Sequence, residues 1–306
     1  MNATTTPLSG TRFDLVHGDY AASIASVGAS LRSLTIAGRN LVVPFDADEV
    51  RPAFRGATLA PWPNRIVDGT YSFGGIDHEL ALTEPDRGHA LHGLLVWQDF
   101  TAITVEPAKV LLTTTLQAQV GYPYRLEVEV SFELTDAGLH SAVTARNTGT
   151  DAAPWGTGPH PYLVAGDGHV DDWTLSLPVA SVLEVTADRL IPTGLADVAG
   201  TEFDFREPRA IATTFIDHAF TAIDRTDGVA EVRVEAPEGT AVVMRWDAAC
   251  PWVQIHTADR PAPEPSRIGL AVEPMTCPPD AFNSTTDLVV IEPGSTHTAS
   301  WTISAD

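Results

Sequence analysis

The chain has 306 residues, 44% hydrophobic and 19% charged, a composition that can complete a core without disulfides or a structural metal. Its formal net charge is −22, with Lys109 the one lysine beside seventeen arginines. A surface this acidic repels phosphate backbones and anionic lipid, so neither nucleic acid nor membrane is expected as a partner.

The N-terminal stretch MNATTTPLSGTRFDL lacks a basic region followed by an apolar one, so no signal peptide is expected. No apolar run approaches the roughly 18 residues of a membrane span. Cys250 and Cys277 form neither a CxxC nor a zinc-finger spacing. Two such cysteines suit a reducing compartment, and a cytoplasmic location is expected. Oligomeric state is not legible.

Along the chain, Arg51–Asn64 is Pro-rich and too irregular for a strand. Turn signals follow at Asp68-Gly69 and Gly74-Gly75. Strands are predicted at Thr101–Val105, Val110–Gln117 and Tyr124–Leu134, where β-branched residues partly alternate with polar ones. In the last of these, Leu126, Val128, Val130 and Phe132 share one face, and Arg125, Glu127, Glu129 and Ser131 the other. After the turn at Asp136-Ala-Gly come strands at Leu139–Asn147, Trp173–Leu177, Ala230–Ala236, Ala241–Trp246 and Trp252–Thr257. A second Pro-rich irregular segment spans Arg260–Asn283, and strands at Leu288–Ile291 and Thr296–Ile303 close the chain. No stretch sustains a 3.6-residue apolar period. The 23 glycines and 23 prolines are spread throughout and gather in no linker, so residues 1–306 read as one domain. Many short strands without helices predict an all-β fold, an antiparallel sandwich or barrel, with function on the long loops.

Four stretches combine polar groups with rigid flanks. They are Ala60-Pro-Trp-Pro-Asn-Arg-Ile with Arg65, His89-Ala-Leu-His-Gly with His92, Gly156-Thr-Gly-Pro-His-Pro-Tyr-Leu with His160, and Val272-Glu-Pro-Met-Thr-Cys-Pro-Pro-Asp-Ala-Phe-Asn with Glu273. In this order, over nearly the whole chain, they resemble the aldose 1-epimerase (galactose mutarotase) family. The resemblance implies a large antiparallel β-sandwich, a supersandwich. It also implies that His160 is a general acid, that Glu273 is a general base, and that Arg65, His92 and Asp217 bind sugar. It implies no metal or other cofactor, and a small-molecule sugar as partner.

The residue types fit that chemistry by themselves. Opening a pyranose hemiacetal removes the C1 hydroxyl proton and protonates the ring oxygen; rotation about C1–C2 and reclosure give the other anomer. This asks for one base and one acid on opposite sides of C1. An unperturbed Glu (pKa about 4.3) is ionised near pH 7, and an unperturbed His (pKa about 6.5) is partly protonated. Arg65 offers a fixed fork of donors, Asp217 accepts from hydroxyls, and Trp62 and Trp252 are candidates for stacking on a sugar face.

Other readings compete. His89, His92 and His160 could ligate a metal, although His-x-x-His is a weak zinc signature. Arg51, Arg55, Arg65 and Arg87 could hold the phosphate of a hexose 6-phosphate. A sandwich could also bind sugar without catalysis. A two-carboxylate glycosidase would need a second motif carboxylate, which the four stretches do not supply. The favoured expectation is interconversion of the α and β anomers of a free hexose such as glucose or galactose.

Overall fold

A computed structural model describes residues 6–306. Strands dominate it, and two large antiparallel sheets make the sandwich. The larger has nine strands in the order Thr101–Glu106, Lys109–Leu116, Leu126–Thr135, Gly138–Asn147, Thr296–Ala305, Ala241–Trp246, Ala230–Glu235, Thr174–Ser176 and Arg209–Ala210. The smaller has six: Tyr162–Leu163, Leu270–Met275, Trp252–His256, Asp217–Ile223, Val179–Val185 and Pro192–Asp197. The predicted strands of the larger sheet all form, within a residue or two at their ends. The predicted alternation in Leu126–Thr135 holds: Leu126, Val128, Val130 and Phe132 are buried, while Glu129 is exposed.

One core joins the sheets. Val128 and Val130 of the larger sheet belong to the same apolar cluster as Val253, Ile255, Leu270 and Val272 of the smaller. Because side chains alternate across a strand, the intervening residues of the smaller sheet point away from this core. That second face carries the chemistry described below.

The structure corrects several expectations. Arg260–Asn283 is not irregular throughout: it contains the strand Leu270–Met275, second in the smaller sheet, with every residue buried. Burial on both faces and Pro274 within the strand erase the alternation that would have revealed it. A single turn of helix, Ala281–Ser284, ends the same segment. Arg51–Asn64 contains the two-residue strand Thr58–Leu59, paired with Gly158–Pro159. A four-stranded sheet near the N-terminus (Arg12–His17, Tyr20–Ala25, Ser30–Ile36, Arg39–Asn40) was not anticipated, because stretches such as Tyr-Ala-Ala-Ser-Ile-Ala lack β-branched periodicity.

Candidate active site

The floor of the site follows from strand register. Gln254 is the direct partner of Glu273, and His256 is the direct partner of Asp217. Gln254 and His256 lie two apart on one strand, so all four side chains share a face. In the same two rows stand Ala271, opposite His256, and Ala219, opposite Gln254. Both alanines are covered by neighbouring side chains. Glu273, Gln254, His256 and Asp217 line a cleft of about 470 Å³, the size of a small-ligand site.

Loops supply the other wall. His160 follows the short pair between Thr58–Leu59 and Gly158–Pro159 and lies between two prolines. Its N–H donates to Ala57 O at 3.1 Å, and its carbonyl accepts from Gly56 N at 2.8 Å. Gly56 has φ +66°, and a Cβ there would fall 2.0 Å from Leu31 O, so only glycine allows this anchor. Its imidazole Nε2 lies 3.4 Å from Glu273 Oε1, with side chains 6% and 2% exposed. Tyr162 stacks on the imidazole at 5.1 Å between centroids.

His92 sits edge-on to His160 at 5.1 Å and to Phe54 at 4.7 Å. The His-Gly pair in its motif has a backbone cause. His92 and Gly93 both adopt positive φ, and a Cβ on Gly93 would collide with the Ala60 carbonyl at 2.1 Å. Arg65 opens the strand Arg65–Val67, which pairs with His89–Leu91. Its Nε and Nη2 donate to the two carboxylate oxygens of Glu84 at 2.7 and 3.0 Å.

The four motifs hold one another in place. Thr276 and Thr157 exchange backbone and side-chain hydrogen bonds. Asp280 N donates to Arg65 O at 2.7 Å, and Asp280 Oδ1 accepts from Val67 N at 2.9 Å. The segment after Glu273 therefore anchors both the His160 loop and the Arg65 strand.

Arg65, His92, His160, Asp217 and Glu273 are brought together; all five line the cleft. Trp62 and Trp252 are not with them. Trp62 is 3% exposed, donates to Ala90 O at 3.2 Å and packs edge-on against Phe282, so it is core. Trp252 shares the strand face of Gln254 but lies two residues further on, about 7 Å away. There it donates to Asp287 at 2.7 Å and lines a different groove. His89 is also elsewhere engaged: Nε2 meets Arg189 O at 2.8 Å, and Nδ1 accepts from Asp68 N at 3.3 Å. That removes it from the proposed metal trio. Of the four arginines considered for phosphate, Arg65 and Arg87 line the cleft. Arg51 is buried, spent on Val27 O, Ser30 and Val96 O, and stacked over Trp97. Arg55 donates to Pro44 O.

Sequence reading missed Glu84, Gln254, His256 and Arg260, which also line the cleft. Gln254 and His256 carried a signal: polar residues alternating with valine and isoleucine in a predicted strand.

Buried polar atoms normally have partners. Here six that belong to cleft-lining residues have none among the described residues: Arg87 Nε, His92 Nδ1, His160 Nδ1, Gln254 Oε1, His256 Nδ1 and Glu273 Oε2. Gln254 Nε2 is committed to Asp217 Oδ1 at 2.7 Å, which leaves its oxygen as an acceptor. Such a mixture of donors and acceptors suits a ligand with several hydroxyls.

Burial reshapes the protonation states expected from sequence. It lowers the His160 pKa to about 3, helped by the neighbouring His256. It raises Glu273 well above the usual carboxylate range, with the Asp217 charge acting in the same direction. His92 is likewise pushed toward its neutral form by burial and by His160. Burial also opposes ionisation of Asp217, but His256, Arg65 and the Gln254 amide together outweigh it, so its pKa falls. The imidazole–carboxylate pair is thus biased toward neutrality, beside a carboxylate held ionised. His160 and Glu273 stand side by side, not across a gap.

A β-sandwich with a buried imidazole–carboxylate pair in a polar cleft is the setting in which a carbohydrate isomerase is expected. A sequence model of aldose 1-epimerase matches residues 11–304, and the chain belongs to the aldose 1-epimerase family. It is 38% identical over 299 residues to the uncharacterized protein YihR of Escherichia coli K12, covering 97% of this chain and 94% of that one. It is 27% identical over 232 residues to the galactose mutarotase of Mus musculus, covering 70% of this chain and 65% of that one. The crystal structure of a GalM/aldose epimerase homologue from C. elegans superposes with a TM-score of 0.84 at 20% identity, covering 96% and 98% of the two chains; this likeness shows the fold. Among the described residues, no helix is long and apolar enough to cross a membrane.

Proposed function

We propose that the protein, acting as a single catalytic domain in the cytoplasm, interconverts the α and β anomers of a free hexose such as glucose or galactose. The observation that carries this reading is the buried contact of 3.4 Å between His160 Nε2 and Glu273 Oε1, on the floor that also holds Asp217 and Gln254.

The C1 hydroxyl oxygen and the ring oxygen are bonded to the same carbon, so adjacent groups can address both. With the one proton of the pair on His160 in the closed-ring complex, Glu273 takes the hydroxyl proton, His160 protonates the ring oxygen, and the ring opens. The pair then stands as neutral imidazole and protonated carboxyl, the state that burial favours. The site therefore stabilises the protonation state that accompanies the open-chain aldehyde. After rotation about C1–C2 the two transfers reverse. One proton is shared throughout, so the pair acts as a unit. Arg65, His92, Asp217 and Gln254 hold ring hydroxyls while C1 turns. Polarimetry of freshly dissolved α-glucose and α-galactose, with and without protein, tests the reading. Rates no faster than the buffer's would overturn it.

The same chemistry on a hexose 6-phosphate is a second reading. One observation favours it: Arg87 and Arg260 both line the cleft, and Arg87 Nε has no partner among the described residues. Against it stand the net charge of −22 and the carboxylates Glu84, Asp217 and Asp259 in the same cleft.

A further inference from the structure

Arg65 has five N–H donors in a rigid plane. Two of them, on Nε and Nη2, are taken by the Glu84 carboxylate at 2.7 and 3.0 Å. A third, on Nη1, reaches Asn64 Oδ1 at 3.3 Å. That leaves one hydrogen on Nη1 and one on Nη2 without a partner among the described residues. Glu84 is itself held. Its Oε1 also accepts from Arg87 Nη1 at 2.9 Å, and its side chain is 13% exposed. Its backbone closes a tight turn, with Glu84 N donating to His89 O and the Arg87, Gly88 and His89 amides donating to Glu84 O. That turn runs into His89–Leu91, the strand paired with the strand of Arg65, so the two side chains are set by one piece of backbone.

Resting on the reading of the cleft as an aldose site, we infer that Glu84 is a positioning residue. It fixes the rotation of the Arg65 guanidinium so that the remaining hydrogens on Nη1 and Nη2 meet sugar hydroxyls. Without it the fork can turn about its terminal bonds and collapse onto Asp217 or Glu273, both near enough to act on its charge. Glu84 touches the sugar only through Arg65.

The test is a double-mutant cycle read by kcat and KM on the better of glucose and galactose. Glu84→Gln puts an amide NH2 against the guanidinium and disrupts the fork. It should lower kcat/KM about 10- to 100-fold, the cost of an ångström-scale misplacement, mostly through KM. In an Arg65→Ala background the same change should add less than about twofold, since interacting residues are non-additive. Glu84→Asp keeps the charge at shorter reach and should recover part of the loss. Thermal unfolding of each variant reads the structural share separately. A Glu84→Gln protein as active as wild type would overturn the proposal. So would a loss that adds in full to that of Arg65→Ala. If Glu84→Gln does not fold, Glu84→Asp carries the cycle, with the same two outcomes deciding. A wild type inert toward every aldose would sink the functional reading and this proposal with it, a result distinct from an active enzyme indifferent to Glu84.

Discussion

Glu273 Oε1 stands 3.4 Å from His160 Nε2, both side chains almost wholly excluded from solvent, on elements joined only through tertiary contacts. A buried carboxyl beside a buried imidazole is a costly arrangement, and Glu273 Oε2 has no hydrogen-bond partner among the described residues. Activity and stability should therefore separate. Glu273→Gln keeps the shape and removes the proton acceptor. Mutarotation should fall at least about 10²-fold, as for loss of one general base. The melting temperature should stay level or rise, since a poorly satisfied buried carboxyl is replaced by a neutral amide. Polarimetry and circular dichroism on the same preparation check both. Near-normal turnover would remove Glu273 from the role of base.

His160→Asn addresses the proposed acid. Protonating the ring oxygen is a task of the transition state, so turnover should drop about 10²–10⁴-fold while the sugar still binds measurably by titration calorimetry. Unfolding of this variant would instead favour a structural role, through the packing of the imidazole against Phe54, His92 and Tyr162.

The pH profile offers a third test. The working pair carries one proton, whichever partner holds it. Activity is lost at low pH when a second proton binds, and at high pH when the last one leaves. Burial depresses His160 to about 3 and raises Glu273, so it moves the acid limb down and the alkaline limb up. The plateau of kcat/KM should extend well below pH 6.5 on the acid side, until acid unfolding intervenes. An acid limb near pH 6.5, where an unperturbed histidine titrates, would contradict the buried, neutral His160.

Dialysis against EDTA should leave the rate unchanged, because His89 spends both ring nitrogens on Arg189 O and Asp68 N and is not free to join His92 and His160 as a ligand. Inactivation reversed by zinc or manganese would contradict this prediction.

Substrate charge can be decided by kinetics at two salt concentrations. A neutral hexose meets no net Coulomb attraction, so kcat/KM should change less than about twofold as the screening length contracts from about 30 Å to about 10 Å. Glucose 6-phosphate should be the poorer substrate. A preference for the phosphosugar that disappears in Arg87→Ala or Arg260→Ala would transfer the assignment to the second reading. Arg51 and Arg55 should have no such effect, since neither lines the cleft.

Much of this protein was written locally. The alternation of Leu126, Val128, Val130 and Phe132 is a property of adjacent residues, and a period of two predicts a half-buried strand wherever the partner lies. The prolines around His160 and the glycine after His92 are local too, which is why the motifs around four of the site residues stood out in the sequence.

What tertiary structure decided is everything that depends on distant chain being near. Register across Asp217–Ile223, Trp252–His256 and Leu270–Met275 sets Gln254 opposite Glu273 and His256 opposite Asp217, and no single strand contains that information. Burial is likewise non-local. It took Trp62 into the core, spent Arg51 on backbone carbonyls, hid the strand of Glu273 behind two covered faces, and reversed the protonation expected of His160 and Glu273. A side chain's type is fixed when the chain is made, but its solvent, its partners and hence its charge are fixed only when distant strands and loops pack around it.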